Sequence, residues 1–319
     1  MPNESYVVGV DVGGTKVAAG LVNAGGEIIK HARTPMVATG SAASGLAAVN
    51  AAIQQVLEGT SDRKITAIGI CSPGPLDPKT GVVINPPNLP CWRNFPLADE
   101  VQALHKVPVK VDNDANAAAL AEVKWGAGRG YKNVFYGTVG TGIGTGIIFD
   151  GRIYHGRTGA AAEGGHMGID IHGPRCGCGK KGCVEVLASG PGIARRARQK
   201  LASNSNSKVF ELAKGNPQPV TSEMVAQAYA VGDPLAREVI EETLDVLAYW
   251  LGNIVDLVEP DVIVMGGGVS TMLSPFLEDI RKRWNGMVVN PWPQQIPVVL
   301  ARYGEDAGVA GAAALCPTN

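Results

Sequence analysis

The sequence predicts an α/β protein of two domains related by internal duplication, and three observations carry that expectation. A β-type run that ends in a glycine turn and re-enters a second β-type run occurs twice. Residues 6–12 lead through Asp11-Val12-Gly13-Gly14-Thr15-Lys16 into residues 17–22. Residues 134–139 lead through Gly140-Thr141-Gly142-Ile143-Gly144-Thr145-Gly146 into Ile147-Ile148-Phe149. After each hairpin comes a second tight turn, Asn23-Ala24-Gly25-Gly26 or Asp150-Gly151, and then a third strand. Elsewhere, short apolar runs alternate with segments of helical periodicity. Finally, 319 residues are enough for two domains of ordinary size.

Bulk properties narrow the function. A net charge of −1 steers the chain toward neither nucleic acid nor a membrane surface. No apolar run reaches the roughly 18 residues needed to span a bilayer. Met1-Pro2-Asn3-Glu4-Ser5 lacks the basic-then-apolar pattern of a secretory signal. The six cysteines include a C-x-C spacing that argues for a metal in a reducing compartment, so a cytoplasmic protein is expected.

Each element follows from local signals. The turn after residues 6–12 offers backbone N–H groups that can cradle phosphate oxygens, with the Thr15 hydroxyl beside them. Asp11 at the strand end can hold a magnesium ion through water. The competing reading is an ordinary Gly-Gly turn, and the recurrence at residues 134–149 weighs against it. Residues 40–58 read as an amphipathic helix. Residues 65–71 read as a strand ending at Ser72-Pro73-Gly74-Pro75, a common place for a ligand loop, which makes Gly74 a candidate contact. Asn85-Pro86-Pro87-Asn88-Leu89-Pro90-Cys91-Trp92 cannot be helical. Its asparagine amides suit sugar hydroxyls, or cap the turn.

Residues 107–111 form a strand ending at Asp112-Asn113-Asp114-Ala115-Asn116, and an alanine-rich helix covers residues 115–124. Asp and Asn at such a junction can be helix caps. Phosphoryl transfer to an alcohol asks for one positioned carboxylate, and Asp114 is the candidate. Residues 191–201 read as a basic helix whose Arg195, Arg196, Arg198 and Lys200 make a solvated face rather than a nucleic-acid site. Residues 202–219 read as a polar loop. Thr221 begins a helix with Glu223 in its first turn. Residues 234–257 form a long helix that turns Val239, Ile240, Leu244, Leu247 and Leu251 inward. Residues 261–265 are a buried-type strand. Gly266-Gly267-Gly268 after it lets an adenine or ribose lie against backbone, or is a ligand-free turn. Residues 298–301 are a last strand, and residues 307–315 an alanine-rich helix.

The densest chemistry lies between Glu163 and Glu185. Cys176, Cys178 and Cys183 fall within eight residues, interleaved with glycine. Thiolates at this spacing can converge on one ion, and His166 is the nearest fourth ligand for a tetrahedral zinc. Such a site is structural, because no position remains for water. The bland alternative is three reduced, buried cysteines and a core histidine. Glu163 and Glu185 bracket the loop and are placed to face a ligand.

Glu163-x-x-His166 followed by Cys176-Gly-Cys-Gly-x-x-Gly-Cys-x-Glu185 resembles the signature of the ROK family (repressors, open reading frames, sugar kinases). The resemblance covers nearly the whole chain, and the glucokinase-like members match best. The duplicated layout resembles the actin, Hsp70 and hexokinase (ribonuclease H-like) superfamily, in which two α/β domains clasp a nucleotide in an interdomain cleft. This implies an N-terminal domain of residues 1–113, completed by a C-terminal helix at about residues 305–319. A larger domain of residues 114–304 carries the zinc loop. By the same resemblance Gly13, Gly14, Thr15 and Lys16 face the triphosphate from one domain, and Thr138, Gly140, Thr141 and Gly142 from the other. Gly266, Gly267 and Gly268 lie on the adenosine side. Asn88 and Asn113 contact the hexose, and Asp114 is the catalytic base. Cys91 is a departure, since most relatives carry glycine there.

The resemblance implies ATP-dependent phosphorylation of a hexose at its 6-hydroxyl, glucose in first place, with ATP, Mg2+ and a structural Zn2+ as cofactors and a homodimer as the assembly. Gly74, Glu163, His166 and Glu185 complete the sugar contacts, with one ring nitrogen of His166 on zinc and the other toward the sugar. Domain closure would exclude water. Mannose, N-acetylhexosamines and fructose stay open as substrates, as does polyphosphate as donor. A sugar-responsive repressor of the same family is the rival, but only ten residues precede Asp11, too few for a helix-turn-helix. A chaperone- or actin-like nucleotide switch is the other, disfavoured by the sugar and zinc motifs.

Overall fold

The computed structural model of the chain describes residues 5–203 and 205–317. The readings made of residues 1–4, and of 318–319 as the end of the C-terminal helix, fall outside them.

The first half opens with β1 (Ser5–Val12), β2 (Lys16–Val22) and β3 (Ile28–Pro35), an antiparallel meander. The Gly13 N–H donates to the Lys16 carbonyl at 2.9 Å and closes the first turn. In the second turn Asn23 Oδ1 accepts from the N–H groups of Gly25 and Glu27, both at 3.0 Å, which is the self-capping that favours asparagine in turns. Next come α1 (Ala42–Leu57), β4 (Lys64–Ser72), the short pair β5 (Leu76–Asp77) and β6 (Val82–Val83), α2 (Leu97–His105), β7 (Val109–Asn113) and α3 (Asp114–Trp125). The five-stranded sheet has the order β3-β2-β1-β4-β7, with β4 parallel to both β1 and β7. Val8, Val10, Ile68, Ile70, Ile53, Leu89 and Trp92 are fully buried in one core cluster on it.

The second half repeats the plan. It holds β8 (Val134–Val139), β9 (Ile143–Phe149), β10 (Arg152–Ile153), α4 (Val184–Ala188), α5 (Gly190–Leu201), α6 (Lys208–Leu212), α7 (Ser222–Ala230) and α8 (Pro234–Val258). β11 (Val262–Gly266), α9 (Gly267–Met272), α10 (Leu277–Lys282), β12 (Val298–Leu300) and α11 (Ala307–Ala314) follow. The sheet order is β10-β9-β8-β11-β12, the same five-strand scheme with a meander at one side. At the β9–β10 turn Asp150 and Gly151 both have positive φ, 48° and 72°, the signature that an Asp-Gly pair serves in a tight hairpin.

The chain divides into two compact units. One comprises Met1–Tyr136, Gly146–Ala162 and Ala301–Asn319, and the other Gly137–Thr145 and Glu163–Leu300. α11 therefore belongs with the first unit, where it packs on β1, β4 and α3. A Cβ on Gly69 of β4 would lie 1.7 Å from the Ala312 carbonyl oxygen, so only glycine permits this approach. No described helix is long and apolar enough to cross a membrane.

Three expectations need correction. The strand after the second glycine turn begins at Ile143, not 147, so Gly144 and Gly146 are strand residues. A Cβ on Gly146 would sit 2.8 Å from the Ala115 carbonyl oxygen, and close approach to α3 is the reason for that glycine. The polar stretch 202–219 contains α6, capped by Ser207 Oγ, which accepts from the Val209 N–H. The basic face of α5 is tied down rather than solvated. Arg196 donates to the Leu187 carbonyl at 2.8 Å and to the Thr243 hydroxyl at 2.9 Å, and Lys200 pairs with Glu238 and Glu242. Sequence signals also missed α2.

Candidate active site and metal centre

In the first unit, the proposed base stands at a strand-to-helix junction. β7 ends at Asn113 and α3 starts at Asp114. Asn113, not Asp114, is the N-cap: its Oδ1 accepts from the N–H groups of Ala115 at 2.9 Å and Asn116 at 3.3 Å. Capping fixes the amide so that its Nδ2 points away from the helix, 3.9 Å from where a Cβ on Gly74 would lie. Asp114 Oδ1 accepts from the Ala115 N–H at 2.8 Å, which orients the carboxylate at the positive end of the helix.

Three acids gather around one buried thiol. Cys71, at the end of β4, donates to Asp11 Oδ1 at 3.4 Å and to the Gly308 carbonyl at 3.3 Å. Burial pushes its pKa well above the ordinary thiol value, and the charges of Asp11, Asp114 and Asp112 push the same way. Burial likewise raises the Asp11 carboxyl, against the Cys71 hydrogen bond and the Lys16 charge that lower it. A carboxylate so placed is one that a nearby cation would favour. Asn88 is exposed in its turn, and its carbonyl lies 2.9 Å from where a Cβ on Gly14 would be, so the asparagine loop rests against the first glycine turn. Thr15 and Lys16 follow, both exposed. Cys91 is not among the residues of positive φ, so its backbone does not require the glycine of relatives.

In the second unit, the cysteine loop closes on itself. Cys176 N–H donates to the Lys180 carbonyl at 2.8 Å and Gly182 N–H to the Pro174 carbonyl at 2.8 Å, making a small hairpin. His166, Cys176, Cys178 and Cys183 offer ligand atoms all within 4.8 Å of one another. Cys178 Sγ is 3.6 Å from Cys183 Sγ, and Cys176 Sγ is 3.6 Å from His166 Nδ1. Zinc bonds of about 2.3 Å to sulfur and 2.0–2.1 Å to nitrogen, set tetrahedrally, put S···S at about 3.8 Å and S···N at about 3.6 Å. The donor set therefore fits that ion in both identity and spacing, with Nδ1 as the ligating nitrogen and Nε2 left over.

Both bracketing carboxylates hang on this loop. Glu185 sits in the first turn of α4, immediately after Cys183 and Val184; its Oε2 accepts from the Ile143 N–H at 3.0 Å and its Oε1 lies 3.8 Å from His166 Nδ1. Glu163 is exposed. The glycines after it have a packing cause. The Gly164 N–H donates to Thr145 Oγ1 at 2.8 Å, and a Cβ on Gly165 would meet the Ile143 carbonyl oxygen at 1.9 Å. The cysteine loop and the second glycine turn are thus one bonded assembly.

Gly140 and Thr141 of that turn line a cavity of about 550 Å³ together with Gly268. Gly140 N–H closes the turn on the Gly142 carbonyl at 2.9 Å. Gly266 ends β11, and Gly267 opens α9 beside the Thr138 side chain. Sequence reasoning missed the other wall, made by Arg198, Val220, Thr221, Ser222 and Glu223. Hydrogen bonding to Thr221 holds the Glu223 carboxyl below its ordinary value. The available signal was the Thr221 cap, which fixes where α7 starts and so where Glu223 points.

The ROK family model matches residues 7–319. Over 318 residues the chain is 37% identical to a glucokinase of Streptomyces coelicolor, covering 97% of this chain and 96% of the relative. Over 310 residues it is 33% identical to the glucokinase of Thermotoga maritima, again covering 97% and 96%. The crystal structure of a ROK family glucokinase from Streptomyces griseus in complex with glucose and AMPPNP matches with a TM-score of 0.82 at 35% identity, covering 98% of this chain and 99% of that one. The fold is the two-domain, actin-like fold of those sugar kinases. With a family model spanning it almost from end to end and relatives this similar along its length, the chain belongs to the ROK family.

Proposed function

We propose that the protein is an ATP-dependent hexose kinase that phosphorylates the 6-hydroxyl, with glucose as the substrate. The observation that carries this is the full-length likeness to an enzyme solved with glucose and AMPPNP. Asp114 takes the proton of the 6-hydroxyl as that oxygen bonds to the γ-phosphorus; the bond from phosphorus to the bridging oxygen breaks, and ADP leaves. Asn88, Asn113 and the Gly74 turn bind the hexose, as do Glu163, Glu185 and His166 Nε2; carboxylates suit paired hydroxyls because each accepts two.

Gly13, Gly14, Thr15 and Lys16 receive the triphosphate, as do Thr138, Gly140, Thr141 and Gly142. The cavity between Gly140, Arg198, Glu223 and Gly268 takes the nucleoside, with Gly266 and Gly267 behind it. Asp11 would hold magnesium, and that ion would supply neutralisation of phosphate charge. His166, Cys176, Cys178 and Cys183 would hold zinc, and their ligation would stiffen the loop and fix the His166 tautomer. A reducing, cytoplasmic setting keeps these thiols available, and a homodimer is the assembly that the family likeness leads us to expect.

The test is a coupled kinase assay over a hexose panel, with ATP and polyphosphate compared. Glucose with ATP should give the highest kcat/KM. Asp114→Ala should lower kcat by about 10²–10⁴-fold without loss of the folded state. Near-normal turnover in that variant would remove Asp114 from the mechanism.

A further inference from the structure

Asp112 and His155 have no part in the chemistry above, yet they meet beside its base. Asp112 lies two residues before Asp114 on the same junction and is only 3% exposed. Its Oδ1 accepts from the Asn113 N–H at 2.7 Å and from Asn116 Nδ2 at 3.2 Å, so it grips the chain on both sides of Asp114. Its Oδ2 lies 2.6 Å from His155 Nε2. His155 stands just after β10 on a loop held by its own backbone. The His155 carbonyl accepts from the N–H groups of Gly159 at 3.1 Å and Ala161 at 3.3 Å, and the Tyr154 N–H donates to the Ile147 carbonyl at 2.8 Å.

We propose that His155 is a positioning residue for phosphoryl transfer: it holds Asp112, and through Asp112 the first turn of α3 that aims the Asp114 carboxylate. The proposal rests on the reading of Asp114 as the base. Its physical ground is that a buried carboxylate oxygen without a donor is costly, and loss of His155 leaves one. A carboxylate that then turns or takes up a proton loosens both the Asn113 and the Asn116 contact. Misplacement of a reacting group by about 1 Å can cost about 10²-fold in rate. The charged groups facing His155 are Asp112 from β7 and Lys79 from the turn between β5 and β6. The hydrogen bond to Asp112 raises the imidazole pKa, while burial and the Lys79 charge lower it.

Steady-state kinetics of the full-length enzyme across pH test this, with His155→Ala, His155→Gln, Asp112→Asn and the Asp114→Ala control. His155→Ala should lower kcat by about 10- to 100-fold with the hexose KM within about threefold. His155→Gln keeps a donor but no charge. It should recover part of that loss, and the acid limb of its kcat/KM profile should move to higher pH, because an imidazolium favours the ionised base. In an Asp112→Asn background His155→Gln should cost less than about twofold, since the link it acts through is already cut. A folded His155→Ala with normal kcat overturns the proposal, as do losses at Asp112 and His155 that multiply. If His155→Ala does not fold, a His155→Gln profile that superimposes on wild type overturns it. An inactive Asp114→Ala beside a fully active His155→Ala sinks the positioning role alone, whereas an active Asp114→Ala sinks the base assignment itself.

Discussion

In the proposed reading Asn113 uses its two amide atoms for different ends: Oδ1 caps α3, and Nδ2, outside the cap, donates to a sugar hydroxyl. Aspartate caps a helix as well as asparagine but has no donor. Asn113→Asp should therefore leave thermal stability within about 0.5 kcal/mol while raising the hexose KM about tenfold or more, the cost of an unpaired polar group. Unchanged KM in the aspartate variant would confine Asn113 to capping. A second prediction at this scale concerns stability against pH. The folded pKa of His155 is raised by Asp112, so the pair's contribution is fully present below the unfolded histidine value of about 6.5. It is lost as pH rises through the folded value. The Tm gap between wild type and His155→Gln should be widest in the acid range and narrow above neutrality, read by scanning calorimetry over pH. The imidazole is one-third exposed, so screening keeps the effect small. A gap that widened with pH would contradict the pairing.

At the scale of elements, the cysteine–histidine cluster is legible in the sequence because its members are near neighbours. C-x-C-x4-C and the histidine before it lie within one short segment, and so do the two glycine turns that mark each meander. What joins elements far apart in sequence left no local trace. Asp112 and His155 are 43 residues apart. Glu122, 1% exposed, accepts from the N–H groups of Ala127, Arg302 and Tyr303, the last two about 180 residues away. α5 looked solvated for the same reason, since its acidic partners sit on α8. The loop gives the prediction proper to this scale. Purified protein should hold about one zinc per chain. Stripping it with a strong chelator, or replacing Cys178 by Ser, should raise the hexose KM about 10- to 100-fold, because Glu163 and Glu185 depend on the loop for their placement. Elemental analysis that found no zinc in an active sample would dismiss the metal.

At the scale of the whole molecule, the last residues of the chain complete the unit begun by the first. α11 lies against β1, β4 and α3, and Ala310, Ala312, Ala313 and Ala314 are fully buried there. Lys124 on α3 donates to the Cys316 carbonyl at 2.9 Å and also binds that of Ala314. Glu122 fastens the segment leading to α11, and Arg302 donates to the Trp125 carbonyl. None of these contacts exists until the C-terminal segment is made, and each closes a loop over a long separation. Small residues are what allow the backbones to come so near, as where Gly69 meets the Ala312 carbonyl. Ending the chain after Leu300 strips apolar surface from Val7, Val22, Ala67 and the inner face of α3, and leaves the Glu122 carboxylate without its Arg302 and Tyr303 donors. Total stability of a domain is only about 5–15 kcal/mol, so a loss spread over that many groups is of the same order. The truncated protein should show no cooperative unfolding transition for the first unit by calorimetry and no hexose kinase activity. A truncated chain that unfolded cooperatively within about 5 °C of the full-length protein and kept its turnover would show that the first unit stands without its C-terminal helix.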